Sequence, residues 1–324
     1  MISTTGPRRG PVVDLEKENF MSESYDILIV GGGPAGLTAA LYAARAGKRA
    51  IVLERENFGG QITLSPMVEN YPALPHVSGA EIAARLYEQV EALGAELCAE
   101  EVVSVTPCDG GFTVVSDLAV RRAKTVILAT GVRHRALGLP GEEELIGCGV
   151  SFCAVCDGAF YAGRDVAVVG GGDTALQDAL FLANTCRHVT VVVRRDRLRA
   201  ERKLAEAAAK RENVEVLFET VPLGYEVTDG ELTGLRCRSA ADGELTLAVD
   251  GVFLAVGQEP CGEPFTALAG ADEAGYYLVG EDAKTAVPGL FAAGDCRRKT
   301  VRQLTTAAAD GAAAACAACE FMES

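Results

Sequence analysis

Hydrophobic and polar positions along the chain fall into one layout that occurs twice. Tyr25–Val30 (YDILIV) is a short apolar run that predicts a buried strand. It is followed by Gly31-Gly-Gly-Pro-Ala-Gly36 and an Ala/Leu-rich helical stretch through Arg45. A second apolar run, Arg49–Leu53, ends on Glu54. Further on, Asp165–Val169 (DVAVV) leads into Gly170-Gly-Gly-Asp-Thr-Ala175, a helix through about Asn184 and a strand Val189–Val193 ending on Arg194. Each is a strand–turn–helix–strand unit of about 30 residues, the dinucleotide-binding βαβ.

Between the two units the pattern predicts a helix over Ala80–Leu93, a strand-rich stretch near 101–120 and an apolar strand ending Ala129-Thr130-Gly131. After the second come another strand-rich stretch over Val214–Val249, a strand ending Ala255-Val256-Gly257, and Gly289-Leu-Phe-Ala-Ala-Gly-Asp295. An Ala-rich helix from about Gln303 closes the chain. The predicted fold class is therefore α/β, with two Rossmann-like dinucleotide-binding domains of the three-layer ββα type, the second inserted in the first. The expected boundaries are 22–133 plus 263–324 for the discontinuous first domain and 136–260 for the insert. Residues 1–21 carry Arg8-Arg9 without a following apolar segment, so they are expected to be a disordered extension and not a signal peptide.

Composition narrows the function classes. The formal charge of −15 repels nucleic acid phosphates and anionic lipid heads. No apolar run approaches the roughly 20 residues needed to span a bilayer. Eleven unevenly spaced cysteines in a chain long enough to fold without staples fit a reducing cytoplasm.

The first glycine run meets the context that a phosphate-binding turn requires, following a strand and opening a helix. Gly31 permits the turn, Gly33 lets backbone amides approach a pyrophosphate, and Gly36 lets the helix pack closely, with Pro34 and Ala35 at its start. The helix N-terminus favours the anion. Glu54 stands where a carboxylate accepts hydrogen bonds from ribose hydroxyls and repels a 2′-phosphate. The second run, Gly170, Gly172 and Ala175, with Asp173 and Thr174 between, ends its unit instead on Arg194-Arg195, with Arg199 close behind. Guanidinium groups there would fork onto a 2′-phosphate. FAD at the first site and NADPH at the second fit this contrast. Asp295, after Gly294, could hydrogen-bond the ribityl chain of a flavin, and the helix after it could turn its positive end toward the ring. Thr130 and Gly131, ending the other apolar strand, belong to the same candidate flavin set.

Ser151-Phe-Cys153-Ala-Val-Cys156-Asp157-Gly158 holds the redox candidates. Two cysteines so spaced can close a small disulfide, and such motifs often depress a thiol pKa. Asp157 can deliver a proton to a leaving thiolate. Cys316 and Cys319 would complete a four-cysteine zinc set, but they lie in the Ala-rich helix, where core packing explains them better.

With these residues in hand, 24–324 closely resembles the low-molecular-weight thioredoxin reductases, through GGGPAGLTAALYAARAG, GGQITLSPMVENYP, CAVCDGAFY, GGGDTALQDA, VRRDRLRAE and GLFAAGD…RQ. The larger disulfide reductases place their cysteine pair soon after the first βαβ acid, and Arg55–Ser65 has none. The resemblance implies a homodimer holding FAD and NADPH, with electrons passing through the flavin to a Cys153–Cys156 disulfide and on to thioredoxin. It implies that Cys156 lies nearer the flavin, that Cys153 attacks the partner's disulfide, and that the NADPH domain rotates between two arrangements. Gln61, Asn70, Asp295, Arg302 and Gln303 match the family's flavin-contacting segments, and Thr174, Arg194, Arg195 and Arg199 its NADPH segments. Three departures stand out: Val193 where a His usually precedes the arginines, Gln177-Asp178 for a pair of glutamates, and a thiol, Cys296, beside Asp295, expected to be buried and inert. The alternatives weighed are a flavin-dependent dithiol oxidase, a ferredoxin-linked reductase and a flavin-binding redox sensor. The intact GxGxxA and the arginines disfavour the first two.

Overall fold

The computed structural model describes residues 24–65, 67–241 and 243–324; the expectation for 1–21 falls outside them. The first sheet is built on β1 (Ser24–Val30), β2 (Ala50–Glu54) and β3 (Glu96–Ala99), in parallel. On its other side β1 pairs in parallel with β6 (Val120–Leu128), so that Ile27 to Val30 run beside Thr125 to Leu128. The edge of β6 is shared by two neighbours. Its first half pairs antiparallel with β5 (Gly111–Ser116), itself antiparallel to β4 (Val102–Cys108). Its second half pairs in parallel with β17 (Leu290–Ala292), more than 160 residues later in the chain. The near-continuous burial of β1, β2 and the second half of β6, Thr125–Leu128, is what a parallel sheet covered on both faces demands.

Helices α1 (Pro34–Arg45), α2 (Gly79–Glu91) and α8 (Leu304–Glu323) accompany this sheet. Leu37, Ala39, Ala40 and Ala43 of α1 share one buried cluster with Ala314, Ala315 and Ala318 of α8. The small side chains let the two backbones approach: a Cβ on Gly311 would sit 2.1 Å from Ala35 O. That contact fixes α8 against the start of α1, beside the first glycine turn.

Between β6 and β17 the chain leaves through β7 (Val132–His134) and returns through β16 (Gln258–Pro260), and these two strands pair antiparallel. The segment between them builds a second parallel sheet of order β11-β10-β9-β15-β8, from β8 (Val150–Ser151), β9 (Asp165–Val169), β10 (His188–Val192), β11 (Val214–Leu217) and β15 (Gly251–Leu254). A three-stranded antiparallel sheet of β12 (Thr220–Thr228), β13 (Glu231–Ser239) and β14 (Gly243–Leu247) joins it through a shared core that includes Leu235, Cys237 and Val252. Short helices α3 (Glu142–Leu145) and α4 (Ala154–Asp157) precede β9, α5 (Asp173–Leu182) and α6 (Arg202–Ala208) follow it, and α7 (Thr266–Ala269) lies after β16.

Element types follow the sequence pattern and boundaries move slightly. Glu54 is the last residue of β2 and not the first beyond it, while β10 stops at Val192 and α5 at Leu182. The helix expected from Ala80 starts at Gly79, because Ser78 caps it by accepting from Glu81 N at 3.1 Å. Among the described residues no helix is long and apolar enough to cross a membrane.

Candidate active site and nucleotide cradles

The first glycine turn is shaped by contacts that only glycine allows. Gly31 has φ +105° and a Cβ there would lie 2.4 Å from Ala129 O; one on Gly36 would lie 1.8 Å from Gly31 O. The turn therefore presses against the end of β6, and α1 begins with no side-chain cap on Gly33 and with Pro34 in its first turn. Its leading amides are left for an anion. Glu54 is held at the turn: Oε2 accepts from Gly32 N at 2.6 Å and Oε1 from Glu56 N at 2.8 Å.

The other flavin candidates converge on this turn. A Cβ on Gly294, with φ +84°, would stand 2.8 Å from the Ala35 methyl, so the end of β17 abuts the start of α1. Gln61 donates to Val132 O, tying the segment after β2 to the strand after Gly131. Asn70 Nδ2 donates to Gln303 Oε1 at 3.2 Å, and Arg302 Nε to Asp295 O at 3.3 Å. Two polar atoms are buried without a hydrogen bond here, Thr130 Oγ1 and Asp295 Oδ1. Asp295 Oδ1 has only the Lys299 ammonium near it, at 3.1 Å. Buried polar groups in native folds almost always find hydrogen-bond partners, so these two under-served atoms beside a glycine turn mark where a ligand's own polar groups belong. Burial pushes the Asp295 carboxyl up, and Asp310 adds to that, while Lys299 and Arg302 pull it back. The cradle, the free helix start, the carboxylate at Glu54 and the two under-served polar atoms together fit FAD.

The second cradle repeats the construction with different charge. Gly170 has φ +154°, and a Cβ there would lie 2.4 Å from Ala255 O. A Cβ on Gly172 would meet nothing within 4 Å, so the space beside it is open. Asp173 is engaged by the protein: its Oδ1 accepts from Glu201 N at 2.7 Å, while Arg199 N donates to Gly171 O at 2.7 Å. These bonds fold the 194–201 loop over the turn. Thr174 is exposed in the first turn of α5, and Arg194, Arg195 and Arg199 are exposed and form no ion pair among the described residues. Val193 is buried, 2.8 Å from a Cβ on Gly171, and packs under the turn. Three uncompensated guanidinium groups on a chain of charge −15 are the chemistry expected around a 2′-phosphate.

Cys153 and Cys156 are joined in a disulfide, Cα to Cα 5.3 Å, at the start of α4. The four-cysteine zinc arrangement is therefore not assembled; Cys316 and Cys319 lie on α8, the former exposed. Ser151 Oγ accepts from Cys153 N at 3.0 Å and donates to Asp157 Oδ2 at 2.6 Å. Asp157 Oδ1 is buried without a partner, and burial pushes the carboxyl up against the opposing pull of Ser151. The result is a carboxyl next to Cys156 that holds its proton more readily than a free one. The sequence named Cys153, Cys156 and Asp157; Ser151 stood in the motif with no role, because only the fold shows its hydroxyl bridging the pair. His134 was missed altogether. Its ring stacks on Phe152 at 4.7 Å, and burial pushes its pKa down to about 4. It thus joins the β7 linker to the residue before Cys153 as a neutral ring. Cys296 is fully buried, with Sγ donating to Ala293 O at 3.1 Å, and burial pushes the thiol up.

Two dinucleotide cradles and one redox disulfide define a nucleotide-linked disulfide oxidoreductase. The family model of pyridine nucleotide-disulphide oxidoreductases matches residues 25–311, and the chain belongs to that family. It is 41% identical over 301 residues to a thioredoxin reductase of Listeria monocytogenes, covering 92% of this chain and 94% of that one. Among solved structures, a thioredoxin reductase from Streptococcus pyogenes superposes with a TM-score of 0.89 at 39% identity, over 93% of this chain and 99% of the other. Another, from Lactococcus lactis in its FR conformation, reaches 0.64 at 38% identity, over 92% and 99%.

Proposed function

We propose that this chain is an NADPH-dependent thioredoxin-disulfide reductase, with FAD in the first cradle and NADPH in the second. The observation that carries the reading is the Cys153–Cys156 disulfide at the start of α4, ahead of β9 and the second glycine turn. The cofactors supply hydride transfer from nicotinamide to flavin and two electrons for the disulfide. Gly31, Gly33 and Gly36, with Pro34 and Ala35, admit the FAD pyrophosphate to the start of α1, and Glu54 accepts from its ribose. Gln61, Asn70, Thr130, Gly131, Gly294, Asp295, Arg302 and Gln303 bound the rest of that site. Gly170, Gly172 and Thr174 do the same for NADPH, Asp173 by holding the loop, and Arg194, Arg195 and Arg199 by binding its 2′-phosphate.

Two electrons and two protons convert the Cys153–Cys156 bond to a dithiol. The Cys153 thiolate attacks one sulfur of thioredoxin's disulfide, forming a mixed disulfide and expelling the other sulfur as thiolate, which takes a proton from Asp157. Cys156 then gives its proton to the Asp157 carboxylate and attacks Cys153 Sγ, re-forming the internal disulfide and expelling the second thioredoxin sulfur, which takes up from solvent the proton that Cys153 released. Ser151 holds Asp157 in place.

The domains we infer are 22–133 plus 263–324 for FAD and 136–260 for NADPH, joined through β7 and β16. Two solved relatives of nearly equal identity and coverage superpose with TM-scores of 0.89 and 0.64, as expected if the two parts take different relative arrangements. We also infer a cytoplasmic homodimer; nine free cysteines beside one disulfide support a reducing compartment. Anaerobic titration tests the core of the reading. NADPH should bleach the flavin and oxidised thioredoxin should restore it. A flavin bleached by neither NADPH nor NADH would sink it in favour of a ferredoxin-linked reductase or an oxidase.

A further inference from the structure

Behind the flavin candidates, two carboxylates and two cations form one closed cluster. Lys299 Nζ lies 3.1 Å from Asp295 Oδ1 and 3.0 Å from Asp310 Oδ2, with only 7% of its side chain exposed. It also donates to Thr306 Oγ1 at 3.2 Å. Arg297 grips Asp310 from the other side, Nε to Oδ2 at 2.7 Å and Nη2 to Oδ1 at 2.6 Å, and Gly294 N donates to Oδ2 at 3.1 Å. Asp310 is thus fully served without Lys299. Burial pushes its carboxyl up, yet Arg297 and Lys299 together bring it below the ordinary value.

Asp295 is in the opposite position. Its Oδ1 has the ammonium beside it but accepts no aligned hydrogen bond. The nearby charged groups are Lys299 and Arg302 from its own loop and Asp310 from α8, the last opposing. Arg302 spends its Nε on the Asp295 main-chain oxygen and lies over the Tyr276 ring. Lys299 is therefore the cation that neutralises the Asp295 side chain, and with no aligned hydrogen bond between them that oxygen can still accept from something else.

We propose that Lys299 is a positioning residue for the flavin, aiming the Asp295 carboxylate at a hydroxyl of the bound cofactor and cancelling its charge beside a ligand that is itself anionic. This rests on the reading of the first cradle as the FAD site. Without the ammonium the cluster carries one uncompensated negative charge, and Asp295 takes up a proton more readily. A protonated carboxyl is the poorer acceptor, so cofactor affinity then falls with falling pH.

The test is FAD binding to flavin-stripped protein, followed by flavin fluorescence between pH 6 and 8. Lys299→Met is expected to weaken binding about tenfold, the effect of roughly one lost charge-assisted hydrogen bond. It should also introduce a fall in affinity toward pH 6 that wild type lacks. Lys299→Arg, which keeps the charge, should restore both, and neutral Lys299→Gln should fail like Met. Asp295→Asn should bind weakly at all pH values, and adding Lys299→Met to it should cost little more. Lys299→Met with wild-type affinity, a flat or oppositely sloped pH profile, or losses that simply add to those of Asp295→Asn would overturn the proposal. Wild type that takes up no FAD would overturn the functional reading as well.

Discussion

A carboxyl between a serine and a cysteine is, on the proposed mechanism, the group that handles the proton in the second half of the reaction. Burial makes the Asp157 carboxyl hold its proton more readily than a free one, and Ser151 fixes its direction at 2.6 Å. Asp157→Asn is expected to slow reduction of thioredoxin by about 10²- to 10⁴-fold while NADPH still bleaches the flavin at the wild-type rate. The exchange step in wild type should also decline as pH rises through the raised pKa, a limb absent from the Asn variant. Stopped-flow measurement of the two half-reactions separates these outcomes. Asp178 is a different case, because burial alone pushes its pKa from 3.8 up to about 7. The unfolded chain releases that proton near 3.8 and the folded one near 7, so the folded state binds more protons between them. Stability contributed at low pH is then lost as pH climbs through this window. Asp178→Asn should raise the unfolding midpoint at pH 8 and leave it nearly unchanged at pH 4, with an upper bound of roughly 4 kcal/mol. Equal shifts at both pH values would show that some interaction other than protonation is at work.

Among the elements, two glycines that look alike in sequence do unlike work. Gly311 in α8 has no room for a methyl, with Ala35 O 2.1 Å from where its Cβ would stand. Gly172 has open space beside it. Gly311→Ala should destabilise the protein by about 1–3 kcal/mol and loosen flavin binding, since the shift of α8 carries the start of α1 with it. Gly172→Ala should leave thermal stability intact and raise the KM for NADPH, because the space that it fills is the ligand's. A loss of stability in Gly172→Ala equal to that in Gly311→Ala would remove the distinction. The spacing of glycines after apolar runs made both βαβ units and their elements legible in the sequence, and the two-residue gap between Cys153 and Cys156 did the same for the cysteine pair, since those signals are local. What was not legible came from segments meeting in space. The Ser151–Asp157 bond, the His134–Phe152 stack between linker and redox strand, and the Lys299 cluster each join side chains whose partners no periodicity reveals. Asp173 shows the reverse: it sits in the motif as a cofactor candidate, and the fold gives its Oδ1 to a backbone amide.

For the whole molecule the question is how a chain of charge −15 gathers an anionic nucleotide. At long range its field opposes NADPH, so the attraction has to be local and short. On the proposed reading the exposed Arg194, Arg195 and Arg199 supply it, on the loop that Asp173 and the Arg199 amide bind to the turn. Val193 beneath them adds packing and no charge, so the proposed reading puts the discrimination between NADPH and NADH on the guanidinium groups. Replacing Arg194 and Arg195 together with Ala should raise the KM for NADPH about tenfold to a hundredfold, the loss of one or two hydrogen bonds to a charged group. The KM for NADH should hardly change, because NADH offers these arginines no phosphate. Added salt should raise the wild-type KM for NADPH more than that of the double variant, since exposed pairs are screened within about 10 Å at 0.1 M. Steady-state assays with both nucleotides across a salt series read all three effects. Parallel losses for NADPH and NADH would mean that the arginines shape the loop and do not bind the phosphate.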